Sequence, residues 1–101
     1  MKTEPERPSA STQAELSRLR DEIEGVDRAM IELIAKRVGL ARAVGVAKRA
    51  AGLPTLDPAR EAAVIRQAAV LAREAKLVDD DVRQIFWHII GLSRRAQLEN
   101  D

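Results

Sequence analysis

Residues Leu16–Arg49, LSRLRDEIEGVDRAMIELIAKRVGLARAVGVAKR, decide the fold. Their apolar positions run Leu16, Leu19, Ile23, Val26, Met30, Leu33, then Leu40 and Val44. Steps of three and four residues are the seam of a helix packed against other helices. The gap in the run is Arg37, which stands where the next apolar residue is due, and Lys48 falls close beside the same stripe. No proline interrupts between Ser9 and Gly52, although Gly25, Gly39 and Gly45 each cost helix stability, about 1 kcal/mol relative to Ala. The helix is expected to stop near Ala51, because Gly52 suits a left-handed C-cap and Pro54 follows.

Beyond that stop, Asp57-Pro58 restarts a helix: Asp accepts backbone hydrogen bonds as N-cap, and Pro is preorganised at the first helical position. The second helix runs from Pro58 to about Lys76, with Ala62, Ile65, Ala69 and Ala72 on one side. Asp79-Asp80-Asp81 opens a third, its negative charges facing the positive end of the helix dipole, with Val82, Ile85, Phe86, Ile89 and Ile90 as apolar stripe. Nothing alternates with period two over a useful length, so the fold class is all-α. The first helix is too long for a small monomer. Some 36 residues make a rod of roughly 55 Å, against a radius of gyration of about 13 Å for a compact chain of this size. A second copy is the natural cover, so the expectation is a three-helix protomer in an intertwined homodimer.

Composition narrows the function. Seventeen basic and sixteen acidic residues give a net charge of +1, which is no footprint for nucleic acid or an anionic membrane. Phe86 and Trp87 are the only aromatic residues, so base stacking has no platform. With no cysteine and the single histidine His88, disulfides, thiolate catalysis and Cys- or His-rich metal sites are excluded. Met1–Gln13 is polar and reads as a disordered tail ahead of a helical domain over 14–101. No stretch approaches the roughly 20 apolar residues that span a bilayer, and a cytoplasmic location is expected.

Polar residues in apolar places are the candidates for chemistry. Arg37 and Lys48 lie about 20° apart around the helix axis and about 16 Å along it. Their long side chains can converge on one small anion. On the third helix the stripe continues from Ile89 into Ser93 and Gln97, and at the second helix start Arg60 and Glu61 follow the Asp57 cap within a turn. Each has an ordinary explanation too. Arg37 can lie sideways and pair with Glu32, Lys48 can snorkel at a helix end, Asp57 is a cap first, and Ser93 and Gln97 can sit on a fraying turn. Trp87, His88 and the Asp79–Asp81 run read as structural or solvated. Taken together the set is harder to dismiss, because a buried charge without a partner is costly. Arg20, about 25 Å along the axis from Arg37 and about 100° around it, cannot reach the same ligand from the same chain. In an antiparallel pair of long helices it comes near the middle of the partner.

The segments LRDEI around Arg20, AKR ending at Arg37, VAK ending at Lys48, LDPARE from Leu56 to Glu61 and SRRAQ from Ser93 to Gln97 resemble the all-helical (AroQ-type) chorismate mutases. The resemblance covers Leu16 to Leu98 without a gap. It implies interlocked dimers of three-helix protomers and the Claisen rearrangement of chorismate to prephenate, with no metal or cofactor. By the same resemblance, Arg37 and the other subunit's Arg20 bind the substrate carboxylates. Lys48 and Gln97 donate to the ether oxygen, Glu61 accepts from the ring hydroxyl helped by the Asp57 region, and Arg60 and Ser93 complete the carboxylate end. Members of the family occur alone, or fused or docked to other shikimate-pathway enzymes, so docking to such a partner is a further implication. The alternatives are an isochorismate–pyruvate lyase of the same fold, against which Glu61 and Ser93 speak, and a non-catalytic regulatory or interaction module.

Overall fold

The computed structural model describes residues 9–99, and within them the chain forms three helices and no strand. These are α1 (Ala10–Ala50), α2 (Pro58–Glu74) and α3 (Asp79–Leu98). Helix α1 starts earlier than the apolar seam. The Ser9 hydroxyl accepts the Thr12 N–H at 3.1 Å and the Ser9 carbonyl accepts the Gln13 N–H at 2.9 Å, an N-cap that makes residues 10–13 of the expected tail helical. The rest of that tail, residues 1–8, lies outside the described residues.

The stop at Gly52 is as read. Its φ is +68°, Gly52 N–H bonds to the Arg49 carbonyl at 3.1 Å, and Leu53 N–H bonds to the Lys48 carbonyl at 2.9 Å. That pair of bonds is a Schellman cap. Asp57 caps α2 by accepting the Arg60 N–H at 3.0 Å, with Pro58 in the first turn. Helix α2 ends in the same two-bond pattern, from Lys76 to Arg73 and Leu77 to Ala72, but its left-handed residue is Lys76 at φ +60°. A side chain there costs on the order of 1 kcal/mol. The three aspartates occupy the first turn of α3 as expected, and Arg73 reaches from α2 to Asp79 at 3.0 Å.

The chain divides into two compact units between Leu33 and Ile34, with α1 running through the division. The first unit contributes only helix, and its seam residues Leu16, Leu19, Ile23, Val26, Met30 and Leu33 are all between 41% and 65% exposed. In the second unit α2 packs on α3, and the buried apolar set is Ala41, Ala68, Ala69, Ala72, Ile90 and Ala96. Five of those six are alanines, which let helices approach closely but remove little apolar surface from water. No large side chain among the described residues is fully buried. Of the stripes read from sequence, Ala62 and Ile85 are exposed, whereas Ala69, Ala72 and Ile90 are buried. Among the described residues no helix is long and apolar enough to cross a membrane.

Candidate active site

The second unit holds a cavity of about 400 Å³. Helix α1 supplies Arg37, Leu40, Ala41, Val44 and Lys48; the start of α2 supplies Asp57, Arg60, Glu61 and Val64; α3 supplies Ile90, Ser93 and Gln97. Every polar group in that wall was singled out by its place in the sequence, and Leu40, Ala41, Val44, Val64 and Ile90 give it an apolar floor. Seven of the eight candidate residues are thus brought to one cavity, and Arg20, on the part of α1 in the first unit, is not in its lining.

Arg37 donates to Ser93 Oγ, and Ser93, buried to 7% exposure, donates its own hydroxyl hydrogen bond to the Ile89 carbonyl at 3.0 Å. Such a bond back to residue i−4 locks the serine rotamer on its helix. It leaves the oxygen lone pairs to fix one N–H of the guanidinium. Arg37 forms no ion pair with a carboxylate among the described residues, so most of its five N–H groups are available to an anion.

Lys48 Nζ donates to the Thr55 carbonyl at 2.9 Å and to Gln97 Oε1 at 3.0 Å. An ammonium can only donate, so the carboxamide must turn its oxygen towards Lys48 and keep its NH₂ as the free donor. Two of the three ammonium protons are used and one is left. The cavity therefore carries two adjacent donors, Lys48 Nζ and Gln97 Nε2, whose orientations are fixed before any ligand arrives.

Charge in the wall is unbalanced. Arg37, Lys48 and Arg60 are cationic, against Asp57 and Glu61. The Asp57 carboxylate is committed to the α2 cap. Glu61, 21% exposed, is held by Arg94 through Nε at 3.0 Å and Nη2 at 2.6 Å. The Arg94 hydrogen bonds pull the Glu61 carboxyl below its ordinary value, outweighing its partial burial, and the same bonds raise Arg94. The acidic groups are thus engaged while three cations face the cavity, which suits a small ligand carrying more than one negative charge. Among the described residues no group of three or more His, Asp or Glu comes together as metal ligands would.

Arg94 is the functional-site neighbour that sequence reading passed over. It lies within SRRAQ, but its partner is 33 residues away, and an arginine beside another on a helix reads as a solvated face. The only hint available was the need of a glutamate in the first turn of α2 for a cation.

With this geometry in place, comparison with known sequences is decisive. The chorismate mutase type II family matches residues 19–98. The chain belongs to that family. The match spans Arg20 to Gln97 and so takes in every candidate residue. Among curated relatives of this chorismate mutase family member, a T-protein of Enterobacter agglomerans is 40% identical over 77 residues, 72% of this chain and 21% of that protein. A T-protein of Haemophilus influenzae is 37% identical over 71 residues, 70% of this chain and 19% of its own. A protein of Pyrobaculum aerophilum named 3-dehydroquinate dehydratase is 34% identical over 83 residues, 82% of this chain and 24% of its own. The chain spans about a fifth to a quarter of the length of these relatives.

Proposed function

We propose that this chain is a chorismate mutase that rearranges chorismate to prephenate in a site completed by Arg20 of the partner subunit. The observation that carries the reading is the pair of preset donors, Lys48 Nζ and Gln97 Nε2, standing in a cavity with Arg37, which pairs with no carboxylate among the described residues. A Claisen rearrangement is unimolecular and needs no nucleophile, metal or proton transfer. It gains from holding an extended dianion in its compact reacting conformer, which is the work of Arg37 on one carboxylate and the partner's Arg20 on the other. As the C–O bond breaks, negative charge develops on the ether oxygen, and Lys48 and Gln97 are placed to receive it without reorganising. Glu61, kept ionised by Arg94, accepts from the ring hydroxyl. Asp57 supports Glu61 in that role, and Arg60 and Ser93, in the lining of the same cavity, complete the carboxylate end.

The homodimer belongs to this reading. A row of six apolar residues half-exposed along α1 is surface of the kind that marks an interface. The test is to incubate the purified protein separately with chorismate and isochorismate. Prephenate from chorismate is expected. Salicylate and pyruvate from isochorismate, with no prephenate, would replace the mutase by the lyase, and no turnover of either would leave an interaction module.

A further inference from the structure

Gln97 stands next to the last residue of α3, where helices ordinarily fray and the final carbonyls lack partners. A donor that must be fixed in place is thus mounted on the least fixed turn of its helix. Two features of α1 answer this. Arg49 Nη1 donates to the Gln97 carbonyl at 2.7 Å and Nη2 donates to the Glu99 carbonyl at 3.0 Å, so one planar fork caps the end of α3. A cation there also faces the negative end of the helix dipole. One turn earlier, buried Gly45 lies against the backbone of Gln97 itself. A Cβ at position 45 would fall 2.8 Å from Gln97 Cα and 2.9 Å from its carbonyl carbon, distances that neither backbone can accommodate without moving. Arg42 adds an ion pair to Glu99 at 2.5 Å.

We propose that Gly45 and Arg49 form a seat on α1 that sets the depth and tilt of the last turn of α3, making Arg49 a positioning residue for the Gln97 amide. Gly45 defines how closely the two backbones approach, and Arg49 holds the turn down against that stop. Lys48 lies between them in sequence and donates to the Gln97 side chain, so one stretch of α1 fixes both the backbone and the amide of the same residue. The catalytic part of this inference rests on the chorismate mutase reading; the seat itself does not.

The experiment is a double-mutant cycle on chorismate turnover, with Arg49→Ala and Arg49→Lys made in the wild-type and Gln97→Ala backgrounds. A misplaced donor costs rate in the transition state and little in ground-state binding. Arg49→Ala is therefore expected to lower kcat about 10- to 100-fold, with KM changed less than about twofold, and Arg49→Lys to recover part of the loss. In the Gln97→Ala background the same Arg49 changes are expected to alter kcat less than about twofold, because the group they position is gone. Equal losses in both backgrounds, or a wild-type kcat for Arg49→Ala, would overturn the proposal. If Arg49→Ala does not fold, Arg49→Lys and Gly45→Ala carry the same comparison. If the wild type has no mutase activity, the functional reading fails. Backbone hydrogen exchange then reads the seat alone, with faster exchange at residues 96–99 in Arg49→Lys expected and unchanged exchange overturning it.

Discussion

Replacing Gln97 by Glu isolates the part of the account that is electrostatic. The substitution keeps the shape of the side chain and the bond from Lys48, which already points at the oxygen of the amide at 3.0 Å. What changes is the other terminal atom, from an NH₂ that donates into the cavity to a carboxylate oxygen that cannot. Losing one donor at a developing oxyanion costs about 10²–10³ in kcat, or roughly 2.7–4 kcal/mol. The remaining Lys48 proton keeps the residual activity above background. Protonating the new carboxyl restores an O–H donor, so kcat should climb as pH falls. Lys48 holds the ionised form, which delays recovery in the free enzyme, whereas a bound dianion favours the neutral acid and advances it in the complex. The wild type, whose amide does not titrate, should show a flat kcat/KM between pH 5 and 8. The assay is chorismate loss across pH 4.5–8 for both proteins, with folding followed by circular dichroism. A variant that loses the same factor at every pH, or keeps most of its activity at pH 7.5, would refute the reasoning.

Three further outcomes are expected. Arg37→Ala should abolish measurable turnover while leaving helicity and dimerisation intact, since among the described residues the guanidinium supports only Ser93; loss of the fold in a thermal melt would show it to be structural instead. Arg94→Ala should make the protein more sensitive to acid. The depressed Glu61 pKa gives stability that is present above the ordinary carboxylate value of about 4.5 and is lost as pH falls through the folded value, so without Arg94 the acid-unfolding midpoint should move to higher pH. Lys76→Gly should raise stability by about 0.5–1 kcal/mol by relieving the left-handed backbone, a gain of a few degrees in melting temperature; no change or a decrease would contradict it.

The sequence carried the parts of this structure that depend on local chemistry. Gly52 and Asp57-Pro58 mark helix ends because a left-handed cap and a preorganised first turn each demand particular residues, and both were legible. Lys76 does the work of a C-cap glycine without being one, so the end of α2 had no such signature. The start of α1 at Ala10 was hidden because the Ser9 cap precedes an alanine and three polar residues that show no seam. In the site, Arg37, Lys48, Ser93 and Gln97 were legible because each is a polar residue on an apolar period. Arg94 and Arg49 were not, because their work is defined by partners 33 and 48 residues away on faces that otherwise look solvated. Burial was the hardest to read. Leu16, Leu19, Ile23, Val26, Met30 and Leu33 have the pattern of a packed seam and are exposed in the single chain, since a period marks a face suited to burial and not what would cover it.

The central claim is a mutase site built from two chains, and subunit mixing tests it most directly. Arg20→Ala and Arg37→Ala are each expected to be inactive alone, because every site in either dimer lacks one carboxylate ligand. After random exchange about half the dimers are hybrids, each with one site missing both arginines and one intact, so about a quarter of wild-type prephenate formation should return. Two well-folded variants that stay inactive when mixed, or an Arg20→Ala protein as active as wild type, would contradict the account.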